Sequence, residues 1–318
     1  MKKRLICRTM AVLSWLGALF MIWHFVSRAL ECQAYVEHMP FQAHFLNVDF
    51  GDCILLRCGG SNILVDGGSY KNKYFAKKKI SQYLCERGIK KLDAMVCTHG
   101  HSDHYNGLEG ILEDGFPVNK VYVSHSSFYN NRHESHYDKF LNIAKEKSEV
   151  VPLKAEDEFE LGKAQIKVLS PIVSQKACQL NAYRRNAWRR DDKMLRDIEN
   201  NHSLVLRAQY KRCSLLLLGD ALLEAEMNML NKKMNVASDV VKVGHHGLGQ
   251  WARFYEKVSP KFAVFSCSGD QSDNPASLEL AKELRQQKTE IMYTYRQGDI
   301  VMGSNGRSWT VARTDDSK

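Results

Sequence analysis

Short apolar runs separated by turn residues recur from about residue 41 to the end of the chain. Alternation of this kind predicts β-strands joined by tight turns. The runs in the first third of the chain cover residues 45–49, 53–57, 62–66 and 92–98. Helical periodicity falls between them, over residues 77–87, and Gly88 is well placed to end that helix.

The second half of the chain repeats this pattern of short apolar runs separated by turn residues. Strands are predicted at residues 164–169, 203–210, 213–218, 240–243, 262–266, 293–294 and 300–302, with a helix at 276–287. Two similar halves of this composition predict an α/β (α+β) protein in which two packed sheets carry helices outside, a four-layer αββα sandwich. One domain over residues 41–314 accommodates all of these elements. Residues 172–200 are polar and non-periodic, and we interpret them as an insertion or lid.

The amino terminus has a different pattern. Five basic residues and no acidic residue lie within residues 1–30, and residues 11–26 are almost entirely apolar. This arrangement predicts a membrane signal over residues 1–34, either an uncleaved single-pass anchor or a cleaved leader of a secreted protein. A buried core helix is the alternative. The positive-inside rule would place the rest of the chain outside the cytoplasm.

The net charge and the cysteines add little to this prediction of fold and location. Five of the nine excess positive charges belong to residues 1–30, so only +4 remains for residues 31–318. The basicity by itself therefore does not indicate a nucleic-acid surface. There is no CxxC pair, and five cysteines within or beside apolar runs are predicted to be small buried thiols: Cys53, Cys58, Cys97, Cys213 and Cys267.

The strongest chemical signal is the run Thr98-His99-Gly100-His101-Ser102-Asp103-His104, directly after a predicted strand. Imidazole nitrogens and carboxylate oxygens are the ligands that zinc and similar divalent ions take. A tight loop can direct the first two histidines at one ion. Asp103 and His104, at the start of the next helix, can then face a second ion. The alternative, a solvated polar loop, does not account for four ligand-type side chains within six residues.

This run resembles the HxHxDH motif of hydrolases with the metallo-β-lactamase fold. Further motifs of that family lie in order around it: Val65-Asp66-Gly67-Gly68, Leu218-Gly219-Asp220 and Val243-Gly244-His245-His246-Gly247. Within the family, the sequence is most similar to the C-terminal hydrolase domain of ComEC/Rec2 DNA-uptake proteins. Residues 45–52 and the stretch Asn200-Asn201-His202-Ser203-Leu204 carry that closer resemblance.

The resemblance implies two divalent metal ions, zinc or manganese, and a role for each residue. His99 and His101 would hold one ion, Asp103 and His104 the other, and Asp220 would be shared. One of His245 and His246 would complete the second site and the other would serve as an acid. Asp66 would orient a histidine or a bound water, and either Asn201 or His202 would be the third ligand of the first ion. The residues expected to take part in catalysis are thus Asp66, Asp103, His245 and His246.

The implied activity is metal-dependent hydrolysis of a phosphodiester by a metal-activated hydroxide, with extracellular DNA or RNA as the polyanionic substrate. A basic, aromatic segment in the insertion could contact the substrate, or could be ordinary solvated surface: Arg184, Arg185, Trp188, Arg189 and Arg190. Two alternatives stay open. One is a hydrolase of cell-wall choline or teichoic-type phosphoesters, and the other is a metal-binding interaction module without turnover.

Overall fold

Two mixed β-sheets form the framework of the protein. The computed structural model describes residues 34–126, 135–173 and 192–312, together with residues 15, 20, 21, 23 and 27. Among these residues no helix is both long enough and apolar enough to span a membrane. Most of the predicted signal at residues 1–34 lies outside them.

The first sheet has eight strands. In chain order they are β1 Phe41–Phe45, β2 Ile54–Cys58, β3 Ser61–Val65, β4 Leu92–Cys97, β5 Val118–Ser124, β6 Glu149–Leu153, β14 Ile300–Ser304 and β15 Trp309–Ala312. Their order across the sheet is β15-β14-β1-β2-β3-β4-β5-β6. The pairs from β15 to β3 are antiparallel, and those from β3 to β6 are parallel.

The second sheet has seven strands. They are β7 Glu158–Leu161, β8 Ala164–Ser170, β9 Val205–Tyr210, β10 Cys213–Leu217, β11 Val240–Lys242, β12 Phe262–Phe265 and β13 Glu290–Tyr293. Their order is β13-β12-β11-β10-β9-β8-β7, antiparallel from β7 to β10 and parallel from β10 to β13. The two sheets therefore share one design, an antiparallel half followed by a parallel half.

Helices connect the parallel strands and cover the outer faces. The described ones are α1 Lys73–Glu86, α2 Ser102–Glu113, α3 Ser135–Lys147, α4 Asp192–Asn201, α5 Leu223–Asn231, α6 Ala252–Val258, α7 Gly269–Ser272, α8 Pro275–Gln286 and α9 Thr294–Gln297. A 3₁₀ turn, Gly244–Gly247, follows β11.

Three apolar clusters define four layers. The largest lies between the sheets and joins residues such as Phe41 and Leu56 of the first sheet to Leu206 and Leu215 of the second. A second cluster packs α1, α2 and α3 on the first sheet, and a third packs α5, α6 and α8 on the second. The predicted αββα sandwich is confirmed. The five cysteines expected to be buried thiols are buried and free.

The first strand differs from its prediction. It occupies Phe41–Phe45, whereas the apolar pattern predicted residues 45–49. Gln42 and His44 are buried polar residues that obscure the strand pattern, and His44 is satisfied by Gln42 and Tyr83 on the outer face. Beyond the strand the chain turns, because Asp49 has a left-handed φ of 68°. The predicted strand segment is thus mostly the loop that leads to the site.

Two helices also differ in extent from their predictions. Helix α1 begins at Lys73 because the Asn72 side chain accepts the Phe75 amide, and it ends before Gly88, whose φ of 64° confirms the predicted stop. The polar stretch at residues 172–200 was predicted to lack periodicity, yet residues 192–201 form α4. This part of the predicted insertion is therefore helical.

Candidate metal centre

The predicted site residues come together at one edge of the two sheets. Asp66 follows β3, His99 follows β4, Asp220 follows β10 and His246 follows β11. Each of these four strands lies in or next to the parallel half of its sheet. Loops at the carboxyl ends of parallel strands converge, which is why open α/β sheets carry their sites there.

Asp66 holds the histidine loop in place. One of its carboxylate oxygens accepts the Thr98 amide and the other accepts the Thr98 hydroxyl, both at 2.8 Å. The second oxygen also accepts Nδ1–H of His104 at 2.9 Å. Burial raises the pKa of Asp66, while His104 and the Thr98 amide favour its ionised form. This contact fixes the tautomer of His104 and directs its Nε2 into the site.

The start of α2 places the next two side chains. The helix begins directly after His101, so Asp103 and His104 lie in its first turn. A carboxylate in this position is stabilised by the free amides and the dipole of the helix. Gly51 and Gly68 allow the neighbouring loops to approach this turn, because a Cβ on Gly68 would lie 2.2 Å from the His104 amide nitrogen.

Four ligand-type side chains meet in one group: Asp103, His104, Asp220 and His246. Nε2 of His104 lies 3.2 Å from Oδ2 of Asp220. Nε2 of His246 lies 3.4 Å from Oδ2 of Asp103 and 3.6 Å from Oδ2 of Asp220. Three of the four residues are buried, and Asp103 is nearly so. The group has the donor types and the spacing of a divalent metal site.

A second group adjoins the first and shares Asp220 with it. It consists of His99, His101 and Asp220. Nε2 of His99 lies 3.0 Å from Nδ1 of His101 and 3.9 Å from Oδ2 of Asp220. Burial lowers the pKa of both histidines, which keeps their imidazoles neutral. Neutral imidazole is the form that binds a metal.

Unsatisfied polar atoms test whether these residues suit a metal. Nε2 of His104, Nε2 of His246 and Oδ1 of Asp220 are buried and have no hydrogen-bond partner. Buried polar atoms are nearly always paired, and the two histidine nitrogens lie 3.2 and 3.6 Å from Oδ2 of Asp220, so these unpaired nitrogens indicate an absent ligand. A cation beside Oδ2 of Asp220 would satisfy both nitrogens, and the residues of the first group therefore fit a divalent ion.

The charges of the group also suit a cation. Burial opposes protonation of His104, yet Asp220, Asp66 and Asp103 outweigh it and raise its pKa well above the usual value. Burial likewise disfavours the Asp220 carboxylate, but His104 and His246 hold its pKa well below the usual range. The pocket thus favours positive charge beside its carboxylates, and a bound metal would supply that charge in place of a proton.

The double histidine after β11 lies on a strained turn. His245 and His246 both have left-handed φ, 42° and 55°. Consecutive non-glycine residues in this region are costly and cluster at functional sites. The turn separates the two rings: His246 donates Nδ1–H to the Ser266 carbonyl at 2.7 Å and enters the first group, whereas Nδ1 of His245 faces the Leu248 carbonyl at 3.0 Å. The structure therefore brings His246, and not His245, into the group.

The predicted third ligand requires a correction. The Asn201 side chain accepts the amides of Leu222 and Ala225 at 3.2 and 3.1 Å, so it caps α5 and does not face the metal groups. His202 is absent from the candidate ligand groups found among the described residues, and its Nδ1 lies 3.7 Å from a Glu199 carboxylate oxygen. Asn201 therefore caps α5, and His202 belongs to neither ligand group.

Asn200 lies beside His245 at the border of the site. Its amide nitrogen lies 3.4 Å from Nε2 of His245, and its Oδ1 is buried without a hydrogen-bond partner. Glu199 accepts the Gly100 amide at 2.8 Å, which fixes the peptide between His99 and His101. The sequence signal for both was present in the motif at residues 200–204, but the pattern did not resolve which polar residue faces inward.

A buried ion pair beneath the site was also missed. The Lys242 ammonium pairs with Asp52, donates to the Gly219 carbonyl at 3.0 Å, and lies 4.0 Å from Oδ1 of Asp220. Both side chains of the pair are fully buried. The available signals were a lysine inside an otherwise apolar strand and an aspartate at the end of the motif at residues 45–52.

One predicted group of residues, the substrate-contacting segment, remains a prediction. It lies outside the described residues and comprises Arg184, Arg185, Trp188, Arg189 and Arg190.

Comparisons with known proteins agree with this geometry. Residues 46–171 match the family model of the metallo-beta-lactamase superfamily. ComE operon protein 3 of Bacillus subtilis (strain 168) is 26% identical over 231 residues, which is 70% of this chain and 26% of that protein. Competence protein ComA of Neisseria gonorrhoeae is 23% identical over 256 residues, 80% of this chain and 31% of that protein. The chain thus spans less than a third of the length of either relative.

Solved structures share the fold. CmlA, a diiron beta-hydroxylase from Streptomyces venezuelae, superposes with a TM-score of 0.52 at 12% identity, covering 84% of this chain and 54% of CmlA. Tm1679, a metal-dependent hydrolase of the beta-lactamase superfamily, superposes with a TM-score of 0.50 at 14% identity, covering 81% and 98%. Because these two proteins are named for different reactions, the fold alone does not select the chemistry.

The sandwich and the family match over residues 46–171 show the metallo-β-lactamase fold, and two adjoining groups of candidate metal ligands lie at one edge of it. Most of the chain is similar to segments of the two curated relatives.

Proposed function

We propose that this protein is a phosphodiesterase of the nuclease type that cleaves DNA or RNA outside the cytoplasm. The observation that carries the proposal is the pair of ligand groups joined by Asp220, in a chain similar to segments of two competence-related proteins. Two ions a few ångströms apart are the usual device for in-line displacement at a phosphodiester. The predicted signal at residues 1–34 supports a membrane-anchored or secreted protein.

Each of the two ligand groups would hold one metal ion. His99, His101 and Asp220 would hold one ion, and Asp103, His104, His246 and Asp220 the other. Divalent ions so placed lower the pKa of a bound water and stabilise negative charge on phosphoryl oxygens. Asp66 orients His104, and Ser266 orients His246, so that both Nε2 atoms stay directed at the ions.

His245 is our candidate for the acid that protonates the leaving oxygen. Its ring centroid lies 6.2 Å from that of His246, and the residue is half-buried, so it borders both the site and solvent. The Leu248 carbonyl lies 3.0 Å from its Nδ1 and the Asn200 amide nitrogen lies 3.4 Å from its Nε2, so the ring is held from both sides. A general acid must be within reach of the atom it protonates, and His245 adjoins His246 while belonging to neither ligand group.

Hydrolysis by the purified full chain tests the proposal. The protein would be stripped of metal, reloaded with Zn²⁺ or Mn²⁺, and given single-stranded DNA, duplex DNA and p-nitrophenyl phosphorylcholine. We expect metal-dependent DNA cleavage that His101→Ala lowers by at least about 100-fold, because one group then loses a ligand. His38→Ala, which changes an exposed histidine before β1, is the matched control and should have no effect.

Two other results would contradict the proposal. Turnover of the choline ester without DNA cleavage would establish a cell-wall phosphoester hydrolase. Stoichiometric metal without turnover of these substrates would favour the interaction module.

A further inference from the structure

A row of three aromatic rings leads from the metal centre to solvent. The Phe50 ring centroid lies 5.0 Å from that of His246, and the Tyr70 centroid lies 5.3 Å from that of Phe50. Phe50 is half-buried, whereas Tyr70 is 74% exposed. We call His246, Phe50 and Tyr70 the aromatic row. Single exposed aromatics are common on protein surfaces, but this one is joined through one ring to a residue of the metal centre.

The loops that carry the row are held together firmly. The Tyr70 amide donates to the Phe50 carbonyl at 2.7 Å, and the Ser69 hydroxyl donates to the Val48 carbonyl at 2.7 Å. Asn106 of α2 bonds the Ser69 amide and carbonyl at 3.0 and 2.7 Å. Helix α2 also carries Asp103 and His104, so the aromatic row and the metal centre share one rigid support.

Close packing of glycines reinforces this support. A Cβ on Gly51 would lie 2.5 Å from the Gly68 carbonyl oxygen, so only glycine allows the two loops to touch here. The Ser266 hydroxyl donates to the Gly51 carbonyl at 3.0 Å, and the Ser266 carbonyl is the group that orients His246. The distance between Phe50 and the metal centre is therefore fixed by contacts on both sides.

A lysine directly follows the exposed tyrosine in the chain. Lys71, which follows Tyr70, is 54% exposed and lies 3.2 Å from an Asp49 carboxylate oxygen. Its ammonium also lies 5.0 Å from the centroid of the Phe75 ring. Exposed aromatic rings together with cations are what proteins use to hold single-stranded nucleic acid, the ring for a base and the cation for the backbone.

We propose that Tyr70, supported by Phe50, is a stacking subsite for the base of the nucleotide that adjoins the scissile phosphate. The proposal rests on the phosphodiesterase function proposed above. The metal centre would hold the phosphate, and one sugar would separate it from a base lying on the exposed face of Tyr70. Every base has a π-face, so this subsite would favour nucleotides over simple phosphodiesters without selecting a sequence.

Two small esters with the same leaving group test this subsite. Thymidine 5′-(p-nitrophenyl phosphate) carries a base, and methyl p-nitrophenyl phosphate carries none. In the metal-loaded full chain we expect Tyr70→Ala to lower kcat/KM for the thymidine ester by about tenfold, mainly through KM, which corresponds to about 1.4 kcal/mol. The methyl ester should be hydrolysed as before. Tyr70→Phe, which keeps a stacking ring, should retain the preference for the thymidine ester.

A control and three contrary results complete the test. Tyr35→Ala, at a tyrosine that is 60% exposed and precedes β1, should change neither ester. Unchanged hydrolysis of both esters by Tyr70→Ala would overturn the subsite and leave the phosphodiesterase intact. A selective loss with p-nitrophenyl phosphorylcholine would overturn it in favour of a quaternary ammonium ligand. Failure of the wild-type chain to hydrolyse either ester would overturn the proposed function and the subsite with it.

Discussion

Asp220→Ala is expected to lower hydrolysis by at least about a thousandfold, the equivalent of about 4 kcal/mol in transition-state stabilisation. Asp220 is the one residue that belongs to both ligand groups, so its loss weakens both at once. It also supplies the largest of the carboxylate effects that raise the pKa of His104. Measuring kcat/KM for DNA cleavage in the variant and the wild type, at saturating metal, gives the size of the effect.

The matched control for this loss is Asp114→Ala. Asp114 follows α2 at the end remote from the site, is 54% exposed at its side chain, and pairs with Lys77 at 3.0 Å. Surface pairs of this kind contribute about 0–1 kcal/mol to stability, so activity should not change. An Asp220→Ala variant that binds metal normally and retains most of its activity would refute the role of Asp220 as the shared ligand.

Lys242→Met is expected to lower the free energy of unfolding by about 3–5 kcal/mol, the usual cost of leaving one partner of a buried ion pair alone. Lys242 and Asp52 are fully buried, and Oδ1 of Asp52 already has no hydrogen-bond partner. Removing the ammonium also leaves Asp220 without the cation 4.0 Å from its Oδ1. Urea unfolding of the metal-free proteins measures the loss. If the variant and the wild type have the same dependence of the unfolding free energy on urea, the difference between their midpoints gives the change in stability.

A double-mutant cycle separates the ion pair from simple loss of packing. Asp52→Ala should also destabilise the protein, and the double variant should be more stable than the sum of the single losses predicts. Lys282→Met removes an exposed partner of Glu279 and should cost no more than about 1 kcal/mol. Additive losses at Lys242 and Asp52 would show that the two side chains do not act as a pair.

The sequence predicted the fold well where the signal was local. Apolar runs with turn residues between them located most strands, since each buried strand must hide its side chains. It failed at β1, where Gln42 and His44 are buried on the outer face of the first sheet and Nδ1 of His44 lies 2.8 Å from the Tyr83 hydroxyl, 39 positions along the chain. Such a long-range compensation leaves no trace in a window of neighbouring residues.

The site residues, like the strands, were predicted where the sequence pattern is local. The histidine motif and the aspartates that follow β3 and β10 were predicted, because ligand-type residues at strand ends are a local pattern. The choice between Asn201 and His202 was not, because the direction of three consecutive polar residues depends on how α4 ends and on the amides of α5 that capture Asn201. The pairing of Asp52 with Lys242 joins residues 190 positions apart and depends on the packing of the two sheets.

The number of metal ions per chain tests the central claim most directly. The full chain, stripped and then loaded with Mn²⁺ and freed of excess ion, would be analysed by elemental mass spectrometry and by electron paramagnetic resonance. Two ions joined by one carboxylate should give two manganese per chain and a spectrum of an exchange-coupled pair, and Asp220→Ala should lose the coupling. A single ion per chain, or two ions with uncoupled spectra in the wild type, would contradict a dinuclear centre built around Asp220.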